Sequence, residues 1–202
     1  MTFTGLIGTI CMFPLRAIIR ACVVLRIHPN VLTFVGVLIN VAAAWALAMG
    51  RFVTAGVIMV VANIFDFIDG KVARELGMET AFGGFWDSVM DRFSDLALFL
   101  GLVYLYSSVH RTDYVIITVM AMIFTVLTSY ARARAESVVA RCKVGFMERP
   151  ERIVLFMIGA FTNRMAGVLW VILVLSILTV ANRIFYTWRE LERAKPQQRV
   201  AV

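Results

Sequence analysis

The sequence predicts an all-α, polytopic membrane protein with six transmembrane helices and an N-terminal amphipathic surface helix. Three observations lead to this fold class. Of the 202 residues, 61% are hydrophobic and only 16% are charged, a composition outside the range of soluble domains. The apolar residues form segments close to the roughly 20 residues that cross a bilayer core about 30 Å thick. Lys and Arg concentrate between these segments, mostly on one predicted side of the membrane.

Residues 1–27 are expected to form the surface helix. Apolar residues mix there with Arg16, Arg20 and Arg26, and Pro14 interrupts the segment. Arg16 and Arg20 are four residues apart and share a helix face, which favours a helix lying on the membrane over one that crosses it. No cleavable signal peptide is expected, because a basic region followed by an uninterrupted apolar stretch is lacking.

A six-helix bundle is predicted over residues 28–188, with a polar tail at 189–202, and the whole chain 1–202 is expected to form one domain. The predicted spans are 31–50, 53–70, 85–107, 113–135, 152–165 and 167–188. The best turn signal between the last two is NRMAG, from Asn163 to Gly167. The tail is expected to fray.

The distribution of basic residues predicts the orientation in the cell membrane. One side carries only Arg51, Arg111 and Arg164, and the other basic residues that flank the spans fall on the opposite side. The positive-inside rule then makes both termini and the acidic cluster described below cytoplasmic. The net charge of +7 is interpreted as topology and contact with anionic membrane lipids, and no nucleic acid is expected as a partner.

Cysteine and histidine suggest no separate site. The three cysteines, Cys11, Cys22 and Cys142, lack the spacing of a disulfide framework or a zinc site. His28 and His110 are isolated in the sequence. We assign no role to any of these five residues.

Four aspartates in this apolar chain are the candidate catalytic groups. Asp66 and Asp69 are three residues apart, and Asp87 and Asp91 are four apart, so each pair shares a helix face. An ionisable group at membrane depth is costly and usually faces a polar cavity. Four neighbouring carboxylates repel one another unless cations lie among them. Because divalent cations take oxygen ligands, the pattern predicts a metal site.

Small residues and a guanidinium accompany the carboxylates. Gly70 lets a backbone or ligand approach closely, Ala73 keeps the same face clear, and Arg74 offers a fork of donors suited to phosphate. An alternative is that the aspartates only join helices, neutralised by Arg74 and Arg92. That alternative does not explain the whole set, so the segment predicts a site for metal and phosphate.

A family resemblance rests on the complete motif. The motif reads Asp66-x2-Asp69-Gly70-x2-Ala73-Arg74-x8-Gly83-x3-Asp87-x3-Asp91. It resembles the signature of the CDP-alcohol phosphotransferase family, and the resemblance extends over nearly the whole chain. It implies an enzyme with two Mg²⁺ or Mn²⁺ ions that takes a CDP-linked lipid such as CDP-diacylglycerol, releases CMP and joins the phosphatidyl group to an alcohol. It also implies a homodimer.

The same resemblance gives individual residues expected roles. Asp91 is the expected general base for the attacking hydroxyl. The expected metal ligands are Asp66, Asp69, Asp87 and Asp91. The expected contacts to the CDP-lipid are Asn30, Thr33, Asp66, Asp69, Gly70, Ala73, Arg74 and Thr80.

The alcohol acceptor is suggested by three further stretches. These are DRFSD, SYARARAE and GFMERPER, which look like the prokaryotic branch of the family that uses inositol phosphate. The resemblance implies 1D-myo-inositol 3-phosphate as acceptor, with Arg132, Arg152 and Arg183 binding its phosphate. Arg132 stands where the branch usually has lysine, which keeps the charge and changes the geometry. Glu148 and Glu151 are expected to pair with these arginines.

Other functions remain open at this point. Glycerol 3-phosphate or a related inositol lipid is the alternative within the same chemistry. A membrane prenyltransferase also uses carboxylates and a diphosphate, although its usual adjacent aspartate pair is missing from the sequence. A cation transporter predicts no CMP formation. The arginines can also be read simply as positive-inside anchors.

Overall fold

The computed structural model describes residues 18–199, with side chains placed for residues 18–194. The described part is helical throughout and contains no strand, so the predicted all-α class is confirmed there. The helices are α1 (Pro29–Ala48), α2 (Phe52–Glu75), α3 (Ala81–Ser108), α4 (Thr112–Glu136), α5 (Arg149–Phe161) and α6 (Met165–Arg199). A short helical segment at 18–24 precedes α1.

Four helices in the described part are long and apolar enough to cross a membrane. They are α1, α2, α4 and the Met165–Ala194 part of α6. Helix α3 has 28 residues, but Asp87, Asp91, Arg92 and Asp95 make its first half polar. Helix α5 has 13 residues, about 20 Å of helix, which is shorter than a bilayer core. The chain is therefore a membrane protein, and the count of six spans stays a prediction.

The start of α1 is fixed by local chemistry. The Asn30 N–H donates to His28 Nδ1 at 3.2 Å, so the imidazole caps the first turn. Pro29 is the first residue of the helix. An N–H at this position has no acceptor within the helix, so proline, which lacks an N–H, loses no hydrogen bond there. His28, to which the sequence analysis assigns no role, is thus a helix cap.

The last two helices meet at the predicted turn, but α6 is longer than predicted. Asn163 takes a left-handed conformation with φ 53° inside the NRMAG stretch, and α6 begins at Met165. The predicted span ends at residue 188, whereas the helix continues through Arg199 instead of fraying. Its polar residues are good helix formers, and Arg193 pairs with Glu190, one turn earlier, at 3.0 Å.

The chain divides into two compact units, and the first contains, among the described residues, 18–43 and 57–98. Its core joins the 18–24 segment, α1 and α2. The buried members of this core are Ile19, Cys22, Leu32, Ile68 and Val72. In the 18–24 segment Arg20 is exposed while Ile19 and Cys22 are buried, as in an amphipathic helix. Arg16 and the rest of residues 1–17 lie outside the described residues, so the full surface helix stays a prediction.

The second unit contains, within the described part of the chain, residues 44–56 and 99–199. Helix α4 packs along α6, and α5 also packs against α6. Phe99 and Phe156 meet edge to face, with ring centroids 5.0 Å apart. Edge-to-face contact is a favourable geometry for an aromatic pair, and it adds to the area that the two rings bury.

The loop between α4 and α5 is held against α6. The Met147 N–H donates to Thr179 Oγ1 at 3.1 Å. Gly145 has φ 96°, and a Cβ there would overlap the Thr179 side chain. Only glycine satisfies both conditions, so this loop has a defined path beside α6.

Candidate active site

Three of the four predicted aspartates meet in the first unit. Asp66 and Asp69 lie on one face of α2, and Asp87 lies on α3. One carboxylate oxygen of each lies within 4.8 Å of the other two. At an effective dielectric constant near 20, each pair of charges at that distance repels by roughly 3 kcal/mol. A set of three oxygen donors this close fits a hard divalent cation, which relieves the repulsion.

Asp69 is oriented by a hydrogen bond from α1. Thr33 Oγ1 lies 2.6 Å from Asp69 Oδ2 and 3.2 Å from the Pro29 carbonyl oxygen. A hydroxyl has one proton, and the shorter contact to a charged acceptor is the stronger one. Thr33 therefore donates to Asp69, and this bond fixes the carboxylate from outside the metal site.

Thr33→Val should weaken Mn²⁺ binding by about 10-fold or more, in the range found when a partner of a metal ligand is removed. Valine keeps the shape of threonine and removes the donor, so Asp69 loses its orientation. The measurement is an Mn²⁺ titration of the detergent-purified protein by electron paramagnetic resonance.

Two further variants make that titration specific. Thr33→Ser keeps the hydroxyl and should bind Mn²⁺ nearly as the wild type does. Thr118→Val removes a buried hydroxyl that donates to Tyr114 O at 2.6 Å in the second unit, and it should have no effect. Equal Mn²⁺ affinity in Thr33→Val and wild type would disprove the orienting role.

A cavity of about 420 Å³ opens beside the carboxylates, and Asp87 lines it. All eight residues that the sequence assigns to the CDP-lipid also line it, namely Asn30, Thr33, Asp66, Asp69, Gly70, Ala73, Arg74 and Thr80. The structure thus brings the predicted set together around one space, and the contacts themselves stay a prediction.

The N-terminus of α3 forms one border of this cavity. Thr80 Oγ1 accepts the Gly83 N–H at 2.9 Å and so caps the helix. A Cβ on Gly83 would lie 3.1 Å from that oxygen, so glycine leaves room for the cap. Free N–H groups and the helix dipole make such a terminus favourable for phosphate.

Arg74 brings a positive charge to the same cavity. A Cβ on Gly70 would lie 3.6 Å from Arg74 Nη2, so the guanidinium lies beside the bare backbone of Gly70. Both residues line the cavity. The space therefore has carboxylates for cations on one part of its wall and a guanidinium for phosphate on another.

Some lining residues are not in the predicted set. They are Pro29, Phe67, Met78, Glu79 and Gly84. Phe67 follows Asp66 directly, and its apolar ring gave no chemical signal. Met78 and Glu79 lie in the loop after Gly77, whose φ of 62° turns the chain back towards the cavity. A glycine at that position was the one available sign of a turn.

Asp91 stands apart from the other three aspartates. It lies one helical turn after Asp87 on α3, and it is outside both the close carboxylate set and the described lining of the cavity. Its side chain is 15% exposed, and Arg92 Nη1 lies 3.6 Å from its Oδ2. Arg92 also donates to the Ser88 carbonyl oxygen at 2.6 Å. The separation supports a role for Asp91 that differs from those of the other three.

The three predicted acceptor arginines all lie in the second unit. Glu148 pairs there with Arg132 at 2.9 Å and with Arg183 at 3.1 Å, so the predicted pairing of Glu148 is confirmed. Arg152, in the first turn of α5, is only 2% exposed. The pairing of Glu151 stays a prediction.

The chain matches a known family over most of its length. A family model described as CDP-alcohol phosphatidyltransferase matches residues 26–185. Archaetidylinositol phosphate synthase of Pyrococcus horikoshii is 32% identical over 180 residues, which cover 89% of this chain and 93% of that protein.

Solved structures with the same fold come from Mycobacterium tuberculosis. The crystal structure of its phosphatidylinositol phosphate synthase in complex with manganese and citrate has a TM-score of 0.79 and 31% identity, and covers 85% of this chain and 88% of that one. The structure of the same synthase with CDP-DAG bound has a TM-score of 0.78 and 31% identity, with coverage of 86% and 93%.

Proposed function

Since this chain belongs to the CDP-alcohol phosphatidyltransferase family, we propose that it moves the phosphatidyl group of CDP-diacylglycerol to 1D-myo-inositol 3-phosphate. The products are CMP and phosphatidylinositol phosphate. The chain is a metal-dependent transferase of that family. The observation that carries the proposal is the set of three carboxylates within 4.8 Å of one another, in a cavity that Arg74 also lines.

The proposed metal ligands are Asp66, Asp69, Asp87 and, from one turn further along α3, Asp91. Two Mg²⁺ or Mn²⁺ ions are proposed, and manganese is present in the related mycobacterial structure. When bound, such ions neutralise the diphosphate and the charge that develops on the leaving CMP. The cluster supplies only oxygen donors, which suits both metals.

The proposed reaction needs a base and an oriented donor. The acceptor hydroxyl attacks the phosphorus on the lipid side of the diphosphate, the bond to CMP breaks, and the Asp91 carboxylate takes the hydroxyl proton. The α3 N-terminus and Arg74 orient the CDP-lipid phosphates, with Asn30, Thr33 and Thr80 around them. This division of roles matches the position of Asp91 outside the close carboxylate set.

The acceptor is proposed from charge and from the relatives. The Pyrococcus and Mycobacterium proteins have names that share inositol phosphate and differ in the lipid. A phosphate monoester carries nearly two negative charges at neutral pH. Arg132 and Arg183 share Glu148 in the second unit, and Arg152 lies in the same unit. We propose that these arginines bind the acceptor phosphate.

The test is CMP release by the detergent-purified protein with Mg²⁺, run in parallel on several acceptors. Inositol 3-phosphate should exceed inositol by at least about tenfold in kcat/KM, because a site built for a phosphate rejects an analogue that lacks it. It should also exceed glycerol 3-phosphate, which carries the phosphate but lacks the inositol ring. A preference for glycerol 3-phosphate would refute the acceptor. Repeating the assay with an ether-linked CDP-lipid separates the two lipid classes named for the relatives, and EDTA should stop CMP release with every acceptor.

The remaining architecture is proposed with the activity. The chain 1–202 is one catalytic domain, with a surface helix at 1–27, a six-span bundle at 28–188 and a polar tail at 189–202. The active site and both termini face the cytoplasm, where the basic residues collect. Two copies form a homodimer. Cysteine-accessibility labelling of intact cells at positions 51 and 134 tests the orientation, because only the first should react from outside.

A further inference from the structure

Glu148 places one negatively charged oxygen between two arginines. Its Oε1 accepts from Arg132 Nη1 at 2.9 Å and from Arg183 Nη2 at 3.1 Å. The two guanidiniums come from α4 and α6, and Glu148 comes from the residue just before α5. An oxygen held by two guanidiniums is also how proteins bind phosphate. The chain's own carboxylate thus occupies the place of an anion.

Each of the two arginines also has hydrogen bonds to groups other than Glu148. Arg183 is 3% exposed, and its Nε donates to Val144 O at 2.9 Å while its Nη1 donates to Thr128 O at 2.5 Å. These carbonyl bonds fix the guanidinium with Nη2 directed at Glu148. Arg132 is held separately, because its Nε donates to Glu136 Oε1 at 3.2 Å.

Glu148 is less enclosed than Arg183. Its side chain is 38% exposed. It occupies the cap position before α5 in an extended conformation, but its side chain makes no capping hydrogen bond there. The first N–H groups of a helix have no acceptor within the helix, and carboxylates are favourable beside them. The second residue of α5 is Pro150, which has no N–H, so the Glu151 N–H is the natural capping donor.

We propose that Glu148 is a displaceable internal anion of the acceptor site. It occupies the position between Arg132 and Arg183 when no acceptor is bound. When an acceptor phosphate binds there, the Glu148 carboxylate turns away to cap α5. This inference rests on the proposed function in that the acceptor carries a phosphate and binds it through Arg132 and Arg183.

Such an arrangement makes Glu148 a specificity-determining residue. An incoming group must replace a full negative charge that is already paired with two guanidiniums. A phosphate dianion supplies more charge and more acceptor oxygens than a carboxylate, whereas an uncharged polyol supplies no charge. Glu148 thereby lowers the affinity of the site for every anion, and it excludes anions with little charge more strongly than a phosphate dianion.

The test is a calorimetric titration of the full-length, detergent-purified chain with inorganic phosphate in EDTA, without any CDP-lipid. Glu148→Gln keeps the size of the side chain and removes its charge. We expect the Kd for phosphate to fall at least fivefold. In CMP-release assays the acceptor KM should fall as well, with the KM for the CDP-lipid unchanged. An unchanged or higher Kd would show that Glu148 only braces the arginines, and would overturn the proposal.

Three further variants locate the effect. Glu190→Gln removes the same charge from a carboxylate that pairs with Arg193 on α6. Its Kd for phosphate should equal that of the wild type. A decrease in Kd as large as that of Glu148→Gln would show that the effect comes from net charge alone. Arg132→Gln should abolish the titration signal, and a surviving signal would mean that phosphate binds elsewhere. Glu148→Asp keeps the charge but has a shorter reach, and its Kd should lie between those of wild type and Glu148→Gln.

The phosphate titration is independent of the proposed reaction. It uses neither CDP-lipid nor inositol phosphate. A wild-type protein that shows no preference for inositol phosphate in CMP release would therefore count against the proposed function alone. A failed titration with normal acceptor preference would count against the role of Glu148 alone.

Discussion

Asp91→Asn is expected to lower CMP formation by about 10²–10⁴-fold, the usual contribution of a general base. Asparagine has the same shape as aspartate but cannot take the proton of the attacking hydroxyl. Since Asp91 lies outside the carboxylates that meet within 4.8 Å, its loss should weaken Mn²⁺ binding less than the loss of Asp87 does. The measurements are CMP release at saturating substrates and an Mn²⁺ titration by electron paramagnetic resonance.

The matched control for Asp91 is Asp113→Asn. Asp113 begins α4 in the second unit and pairs with Arg111 at 2.8 Å on the surface, so both measurements should give wild-type values. CMP release by Asp91→Asn at the wild-type rate would exclude the general-base role. A complete loss of Mn²⁺ from Asp91→Asn would instead make Asp91 primarily a ligand.

Asp87→Asn has the second large expected effect, on metal binding itself. Asp87 is the member of the close carboxylate set that α3 supplies, so its loss breaks the link between α2 and α3 through the ion. Mn²⁺ affinity should fall by more than about 100-fold, beyond the effect of changing an outer partner, and CMP release should fall below detection. The titration used for Asp91 measures the affinity.

Thermal unfolding is an independent measurement of Mn²⁺ binding by Asp87→Asn. Mn²⁺ bound only to the folded state raises its stability by about 2.7 kcal/mol at 100 times the dissociation constant. That rise should be present in wild type and absent in Asp87→Asn. In EDTA the order should reverse, because the variant lacks one of three mutually repelling charges. A variant that melts lower than wild type in EDTA would show that Asp87 stabilises the fold without metal.

Much of the candidate site follows from spacing on helices. Asp66 and Asp69 share a face because they are three residues apart, and α2 is regular through both. The small residues Gly70 and Ala73 keep that face open to the cavity. Periodicity of this kind is local, so it is readable from one sequence.

Contacts that depend on the path of a loop were not predictable in the same way. Glu79 lines the cavity from the loop that follows Gly77, whose φ is 62°. Arg183 is a predicted phosphate ligand, and the bonds from its Nε and Nη1 to the carbonyls of Val144 and Thr128 were not predictable from the sequence. The sequence does not indicate which backbone carbonyls a buried guanidinium will bind, because they belong to distant parts of the chain.

The ends of helices were also harder to predict than the helix faces. The apolar pattern of the last span stops near Trp188, so hydropathy gives no reason to extend it. The helix continues because Arg, Glu and Lys favour helix without being apolar. Similarly, Thr33 is identifiable as a contact of the site by resemblance, while its hydrogen bond to Asp69 depends on how α1 packs on α2.

The length of α6 has a practical consequence for imaging. Its 35 residues correspond to about 52 Å of helix, roughly 20 Å more than the apolar thickness of a bilayer. The part of α6 before Pro196, where proline would interrupt the backbone hydrogen bonds, therefore emerges from a detergent micelle as a stiff rod continuous with a buried helix. A 202-residue chain offers little mass for particle alignment in electron cryomicroscopy. Fusing a helical protein to α6 just before Pro196, so that the two helices form one continuous helix, should supply a rigid marker for alignment.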